Sequence, residues 1–432
     1  MKAKKVLTID GDYFGHRAIH GLRITEPNLT LGTQGDIMKF ESELNNQLVG
    51  LLEIFTGIVD NFVFTFDSHS WRKNVEPYHP YYIPQNYDKP LGYKANREEL
   101  KSRDDIDYEM FRVCMDNFYE KVSKKIPTFK IDGLEGDDLM LLISKKFGVG
   151  TDEVILFCND GDLTQIINNN THMFRNVRSK VSPDGEIWIS KKNYDSEFKE
   201  SSNFSFEDMF TKSSFDNETI KTLFKTKLDS KNKFNCIRKP GVNIRYSEPL
   251  KIAFIKSITG DKKDNIFPIL RCEATTGTRN YSVTEKHILK CFESLGYTDI
   301  NDVTIKSVMD NDDDFRTFFI NLVSETKQMG IAKNILKHFW HNWKINTLSI
   351  KNIPENLVEN FNISYATQEE RIYTKPDELM QLSVSGMISD SASNILLNSV
   401  PGSGADILNS WNIEQNKWQT NGNPNTSSNK IN

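Results

Sequence analysis

Nine carboxylates in this chain fall where they could act together. Asp10, Asp67, Asp160 and Asp162 each follow closely on a short apolar run, KVLTI, FVFTF or EVILFC. Glu135, Asp137 and Asp138 open the segment EGDDLMLLISKKF, and Asp261 and Asp264 lie in TGDKKDN, where an apolar run ends in glycine. Glu135 and Asp138 are three residues apart, as are Asp261 and Asp264, a spacing that lets both reach one side of a helical turn. Singly, each has an ordinary explanation. An aspartate after a strand is a helix cap or turn former, acids opening a helix serve its dipole, and a GDKKDN turn can simply be solvated. Gathered in one place, however, they repel, and the repulsion grows as they lose water. A fold that gathers them needs a cation. Oxygen donors without Cys or His point to Mg²⁺ or Mn²⁺. More acids than one Mg²⁺ accepts point to two ions, the usual equipment for displacement at phosphorus.

The elements that would position these acids alternate along the chain. The three apolar runs suit strands buried on both faces, and helical periodicity separates them at 41–59, 106–126 and 135–147. Alternation of this kind predicts an α/β fold with a mostly parallel central sheet covered by helices. Ligands of such sheets bind beyond the carboxyl ends of the strands, where the acids fall. Residues 172–189 read as two further strands around Pro183-Asp184-Gly185. The expected organisation is a core over 1–190, a basic insertion or flexible connection over 191–246, a smaller helical region over 247–345 and an extension over 346–432. After about residue 383 the extension is rich in Ser, Asn and Gly and is expected to be mobile.

Bulk properties exclude little but agree. The chain has 432 residues, 38% hydrophobic and 26% charged, with a net charge of −5, so any polyanion must be met by local basic patches. Five cysteines without a C-x-x-C spacing argue against a disulfide framework or structural zinc. The run before Asp10 is too short for a signal peptide or a membrane span, and a soluble intracellular protein is expected.

Six stretches together resemble the 5′ nuclease (flap endonuclease-like) family, most of all its bacteriophage ribonuclease H/5′→3′ exonuclease branch. They are IDGDYFGHRA (9–18), FDSHSWRK (66–73), YKANREE (93–99), LEGDDLMLLI (134–143), NDGDLTQI (159–166) and ITGDKKDNI (258–266). Their order and rough spacing fit as well, and the resemblance covers about residues 5–270. It implies a PIN-like nuclease core and a helical arch at about 70–112 that admits a single-stranded 5′ end. It implies metal ligands at Asp10, Asp67, Glu135, Asp137, Asp138, Asp160, Asp162, Asp261 and Asp264. Lys94, Arg97 and Arg72 match basic residues that hold the scissile phosphate. Arg17, Lys73, Tyr93, Lys262 and Lys263 are expected nucleic-acid contacts.

The implied activity is Mg²⁺-dependent cleavage of RNA primers or 5′ flaps in DNA replication, with DNA and RNA–DNA hybrids as partners. A monomer is expected, away from membranes and in the cytoplasm, the host's if the protein is phage-encoded. A single-strand binding protein or clamp is a candidate partner of the tail. A non-catalytic binding protein of the same fold and a PIN-type ribonuclease stay open as alternatives. One stretch departs from the family: IFPILRCEATTGTRNY follows the GDKKDN turn where a glycine-rich helix-hairpin-helix is usual. Residues 71–103 interleave cations with Trp71, Tyr78, Tyr81, Tyr82, Tyr87 and Tyr93, a pattern suited to stacking a single strand.

Overall fold

The protein is described from a computed structural model, over residues 4–55, 59–80, 82–83, 86–97, 105–148, 152–175, 186–197, 243–272, 281–326 and 332–373. Seven strands form one sheet: β1 Lys5–Asp10, β2 Asn61–Thr65, β3 Thr128–Phe129, β4 Glu153–Phe157, β5 Thr171–Arg175, β6 Glu186–Ser190 and β7 Asn243–Ser247. Their order is β3-β2-β1-β4-β5-β6-β7. Every neighbouring pair is parallel except β5 and β6. The sheet is the expected mostly parallel one.

The apolar strand runs are explained by cover on both sides. Leu7, Ile9, Phe62 and Phe64 enter one core, while Val6 and Val63 enter the other, as alternation along a strand requires. The first core lies under helices α1 (Gly11–Thr25), α2 (Gln34–Phe55) and α3 (Tyr108–Ser123). The second lies under α4 (Gly136–Phe147). Register then fixes the acidic edge. Asp10 pairs with Thr65, two residues before Asp67, and Ile9 pairs with Phe157, three residues before Asp160.

After a short helix α5 (Lys191–Glu197), the connection read as an insertion ends in β7, which joins β6 in parallel. Residues 198–242, with most of the expected basic insertion, lie outside the described ones. Helices α6 (Pro249–Thr259), α7 (Glu285–Ser294), α8 (Asp302–Asp310), α9 (Asp312–Glu325) and α10 (Ala332–Asn346) share a third core around Phe254, Phe292, Phe318 and Phe339. Gln165 ties this layer to the sheet: its Nε2 donates to the Asn346 carbonyl at 3.0 Å and its Oε1 accepts from Leu348 N at 3.1 Å.

The extension begins with a well-packed element. Helix α11 (Glu355–Tyr373) lays Phe361, Tyr365 and Ile372 against the second core. Gln368 brackets Thr128, accepting from its N–H at 2.8 Å and donating to its carbonyl at 2.9 Å. Residues 374–432, including the tail expected to be mobile, lie outside the described residues. Of the expected arch, the described part holds the 3₁₀ turn Trp71–Asn74 and a turn over 93–96. Residues 98–104 lie outside it. No described helix is long and apolar enough to cross a membrane.

Candidate metal centre

Each acid is placed by the end of an element. Asp10 ends β1 and caps α1, its Oδ1 accepting from Tyr13 N at 2.9 Å. Asp67 follows β2, and its Oδ1 accepts from Gly136 N at 2.7 Å. Glu135 is the N-cap of α4, so Asp137 stands in that helix's first turn. Asp160 follows β4 and caps a 3₁₀ turn (Gly161–Ile166), accepting from Asp162 N at 2.9 Å. Gly136 borders both carboxylates: a Cβ there would lie 3.2 Å from Asp67 Oδ1, tight enough to shift it, and 3.9 Å from Asp10 Oδ1.

Their electrostatics follow from this closeness. Burial, then the charges of Asp67 and Asp160, push Asp10 from its ordinary 3.8 to about 7. Burial, then Asp160, Asp10 and Asp67, push Asp137 well up. Burial raises Asp67 as well, with Glu135 adding to it and Lys94 opposing. These acids act on one another because they converge at the end of β2, β1 and β4.

A second group lies beside the first. Helix α6 ends at Gly260, whose φ of +70° and closeness to the chain beyond allow no side chain: a Cβ would meet Ile266 O at 2.4 Å. The turn is closed by Asp261 and Ile266, each donating its N–H to the other's carbonyl at 2.8 Å. It brings Asp261 and Asp264 to Asp162, with carboxylate oxygens of all three within 4.8 Å of one another. Lys256, one turn back on α6, reaches both Asp162 and Asp261 Oδ2, the latter at 2.7 Å.

Residues 5–197 match the family of the 5′-3′ exonuclease, N-terminal resolvase-like domain. Over these residues the chain is similar to that family. Among solved structures, the chain is similar to the bacteriophage T5 D15 protein co-crystallized with metal ions, at 14% identity and a TM-score of 0.41, over 84% of this chain and 99% of that one. It is also similar to the bacteriophage T5 flap endonuclease in a pseudo-enzyme-product complex with DNA and metal ions, at 16% identity and a TM-score of 0.39, over 84% and 98%. No curated protein matches the chain. Neither structural likeness is close enough to carry residue roles across.

Two expected site residues face away from the acidic edge. Asp138 is fully buried, and Arg72 grips it with Nη1 and Nη2, each at 2.7 Å. Trp71 Nε1 and the Glu135 N–H also donate to Asp138 Oδ2, at 3.2 and 3.3 Å. That uses the carboxylate's oxygens and corrects its expected place among the metal ligands. Arg72 spends the rest of its guanidinium on the Ile345 carbonyl at 3.0 Å and Glu135 Oε2 at 3.2 Å. It is 3% exposed, so it is not positioned to hold a phosphate.

Tyr93 also differs from expectation. Its ring is buried with Ile266 and Ile345, and its hydroxyl donates to Glu135 Oε2 at 2.8 Å, leaving no face for a base. Other aromatics of this stretch pack likewise. Tyr78 stacks on His338 with ring centroids 4.1 Å apart, and Tyr87 meets Phe267 edge-on. Tyr81, Lys101 and Arg103 lie outside the described residues.

The remaining basic positions stand at the rim. Lys94 pairs with Glu135, and Arg97 Nη2 lies 3.0 Å from Asp264 Oδ1. Lys263 Nζ reaches Asp160 Oδ2 at 3.2 Å, while Lys262 and Lys73 are exposed. Arg17 lies over the Phe157 ring. Burial would raise Glu135, but Lys94 and Arg72 bring it below its ordinary value.

Two members of the site carried weaker signals in the sequence. Asp12 accepts the Asp67 N–H at 2.6 Å and is pushed well up by burial, Asp67 and Asp10. Its signal was the D-x-D spacing of IDGD, masked by its place inside a helix. Lys256 was expected only as one cation of a basic stretch, Lys225 to Lys263, that would contact duplex backbone, though it stands five residues before Asp261 and pairs with Asp162 and Asp261.

Proposed function

We propose that this protein is a Mg²⁺-dependent 5′→3′ nuclease that hydrolyses phosphodiesters of RNA primers or 5′ flaps during DNA replication. The observation that carries this reading is the convergence of Asp10, Asp67, Asp137 and Asp160 on one space, where the charges of Asp67 and Asp160 raise Asp10 and those of Asp160, Asp10 and Asp67 raise Asp137. An oxygen-only donor set under mutual repulsion fits a hard divalent ion. One ion would be held by Asp10, Asp67, Asp137 and Asp160 with Glu135 beside them, and a second by Asp162, Asp261 and Asp264. Bound ions would supply charge neutralisation and polarisation of the phosphate.

The chain's own cations do the rest. Lys94 and Arg97 offer charged hydrogen-bond donors to the scissile phosphate, which competes for them with Glu135 and Asp264. Lys262, Lys263 and Lys73, which are exposed, and Arg17 would meet backbone phosphates outside the centre. Binding through such contacts weakens steeply with salt. Asp138 and Arg72 act one layer back, holding Glu135 and the start of α4 in place. A non-catalytic module would have no use for carboxylates held at this cost.

The test uses 5′-labelled flap DNA and an RNA–DNA hybrid with Mg²⁺, and EDTA as control. Asp67→Asn and Asp160→Asn should abolish cleavage while leaving DNA binding largely intact. Cleavage by either variant at the wild-type rate would sink the two-ion reading.

A further inference from the structure

Among the bonds that join the turn at 260–266 to the segment at 90–97, two come from one side chain. Asn265 donates from Nδ2 to the Gly92 carbonyl at 2.8 Å and to the Pro90 carbonyl at 3.2 Å. It sits at φ +57°, in the left-handed region that asparagine tolerates better than most residues. Across the contact Lys94 is also left-handed, at φ +56°, and donates its backbone N–H to the Asp264 carbonyl at 2.8 Å. Strained residues facing one another persist only where their surroundings hold them. Asn96 Nδ2 and the Lys262 carbonyl, 3.4 Å apart, extend the same contact. Both side-chain bonds of Asn265 go to backbone of the basic segment, and neither goes to a carboxylate.

We propose that Asn265 is a positioning residue of the nuclease, whose carboxamide fixes residues 90–92 and so aims Lys94 and Arg97 at the acidic edge. The assignment rests on the nuclease reading above. Without the latch, the strained turn at Lys94 relaxes and both cations swing on a loose segment. Misplacing a positioning group by about 1 Å costs on the order of 100-fold in rate. The ligands themselves are untouched, so metal binding should be unchanged.

The test uses the full chain with Asn265→Gly, which keeps the backbone freedom and removes the amide, and Asn265→Asp, which keeps the shape and removes the donor. Three quantities are read: kcat and KM on 5′-flap DNA with Mg²⁺; the same in a Lys94→Ala/Arg97→Ala background; and the rate of trypsin nicking after Lys94 and Arg97 without substrate. The expected result is a fall in kcat of roughly 10-fold to 100-fold with little change in KM. In the doubly substituted background the further fall should be under about 2-fold, because the latch acts through those two cations. Nicking at both bonds should be faster than in the wild type. An equal loss of kcat in both backgrounds, or nicking at the wild-type rate, overturns the proposal. If the doubly substituted background is inactive, nicking decides alone. A wild-type chain without nuclease activity would remove the nuclease reading, and nicking would still decide whether the latch exists.

Discussion

Arg72 and Asp138 form a two-pronged buried ion pair, both bonds at 2.7 Å, directly behind the N-terminus of the helix that supplies Asp137. Asp137 and Asp138 are chain neighbours with opposite duties. Adjacent helical positions point about 100° apart, so when one meets the open acidic edge the other must turn inward. Arg72 neutralises the inward one and braces Glu135 at the same time.

Removing Arg72 should therefore destabilise the fold rather than merely slow the reaction. Arg72→Ala leaves Asp138 charged and buried, which typically costs about 3–5 kcal/mol. Urea denaturation of the metal-free chain should show a lower midpoint with little change in slope. If the loss stays under about 1 kcal/mol, the value typical of an exposed pair, the pair is not holding the helix start.

Asp10→Asn should do the reverse to stability. Asparagine caps a helix as well as aspartate does, so the bond to Tyr13 N survives. One repelling charge is gone. In EDTA the variant should be more stable by roughly 1–2 kcal/mol near neutral pH. It should also lose most of the stabilisation by Mg²⁺ and at least about 100-fold in cleavage. A variant less stable than the parent in EDTA would mean that Asp10 is not under repulsion.

How much of this was legible in the sequence depended on contrast. β1, β2 and β4 were readable because Ile9, Phe64 and Phe157 belong to unbroken apolar runs, each ending near an acid. Strand β7 was not, since NIRYS is short and alternating and follows a long polar stretch. The acids could be named from position, but not the direction each faces. Nothing local told Asp138 from Asp137; the difference is made by Arg72, more than sixty residues away in the chain. Asn265 was visible only as part of a motif, because its partners at Pro90 and Gly92 are far off in sequence.

Helix α11 makes a separate prediction, because its sequence hides its importance. Among its described side chains only Phe361, Tyr365 and Ile372 are buried, with Leu357 and Val358 half-buried against the same core. Phe361 is fully buried and meets Phe129 with ring centroids 5.5 Å apart. Phe361→Ala should cost about 3–5 kcal/mol, read by urea denaturation. Glu359→Ala, on the exposed side of the same helix, should fall within about 0.5 kcal/mol of the parent. Equal behaviour of the two would mean that α11 is not part of the core.

Metal and pH should act against each other on stability. Asp10 is raised from its ordinary 3.8 to about 7, and Asp12, Asp67 and Asp137 are raised with it, burial being the largest cause for each. A raised acid keeps its proton in the folded chain at a pH where the unfolded chain has lost it. The folded state then binds more protons, so stability falls as pH rises through that interval. Glu135, Asp160 and Asp261 are lowered, so their contribution is lost only as pH falls below the ordinary carboxylate range. In EDTA, Tm should therefore decline between about pH 5 and about pH 7. Divalent ions need deprotonated ligands, so the rise in Tm on adding Mg²⁺ should grow over the same interval. Thermal scans with EDTA and with Mg²⁺ across this range check both slopes. A metal-free Tm that climbs steadily to neutral pH, with no response to Mg²⁺, would show that these carboxylates do not share a site.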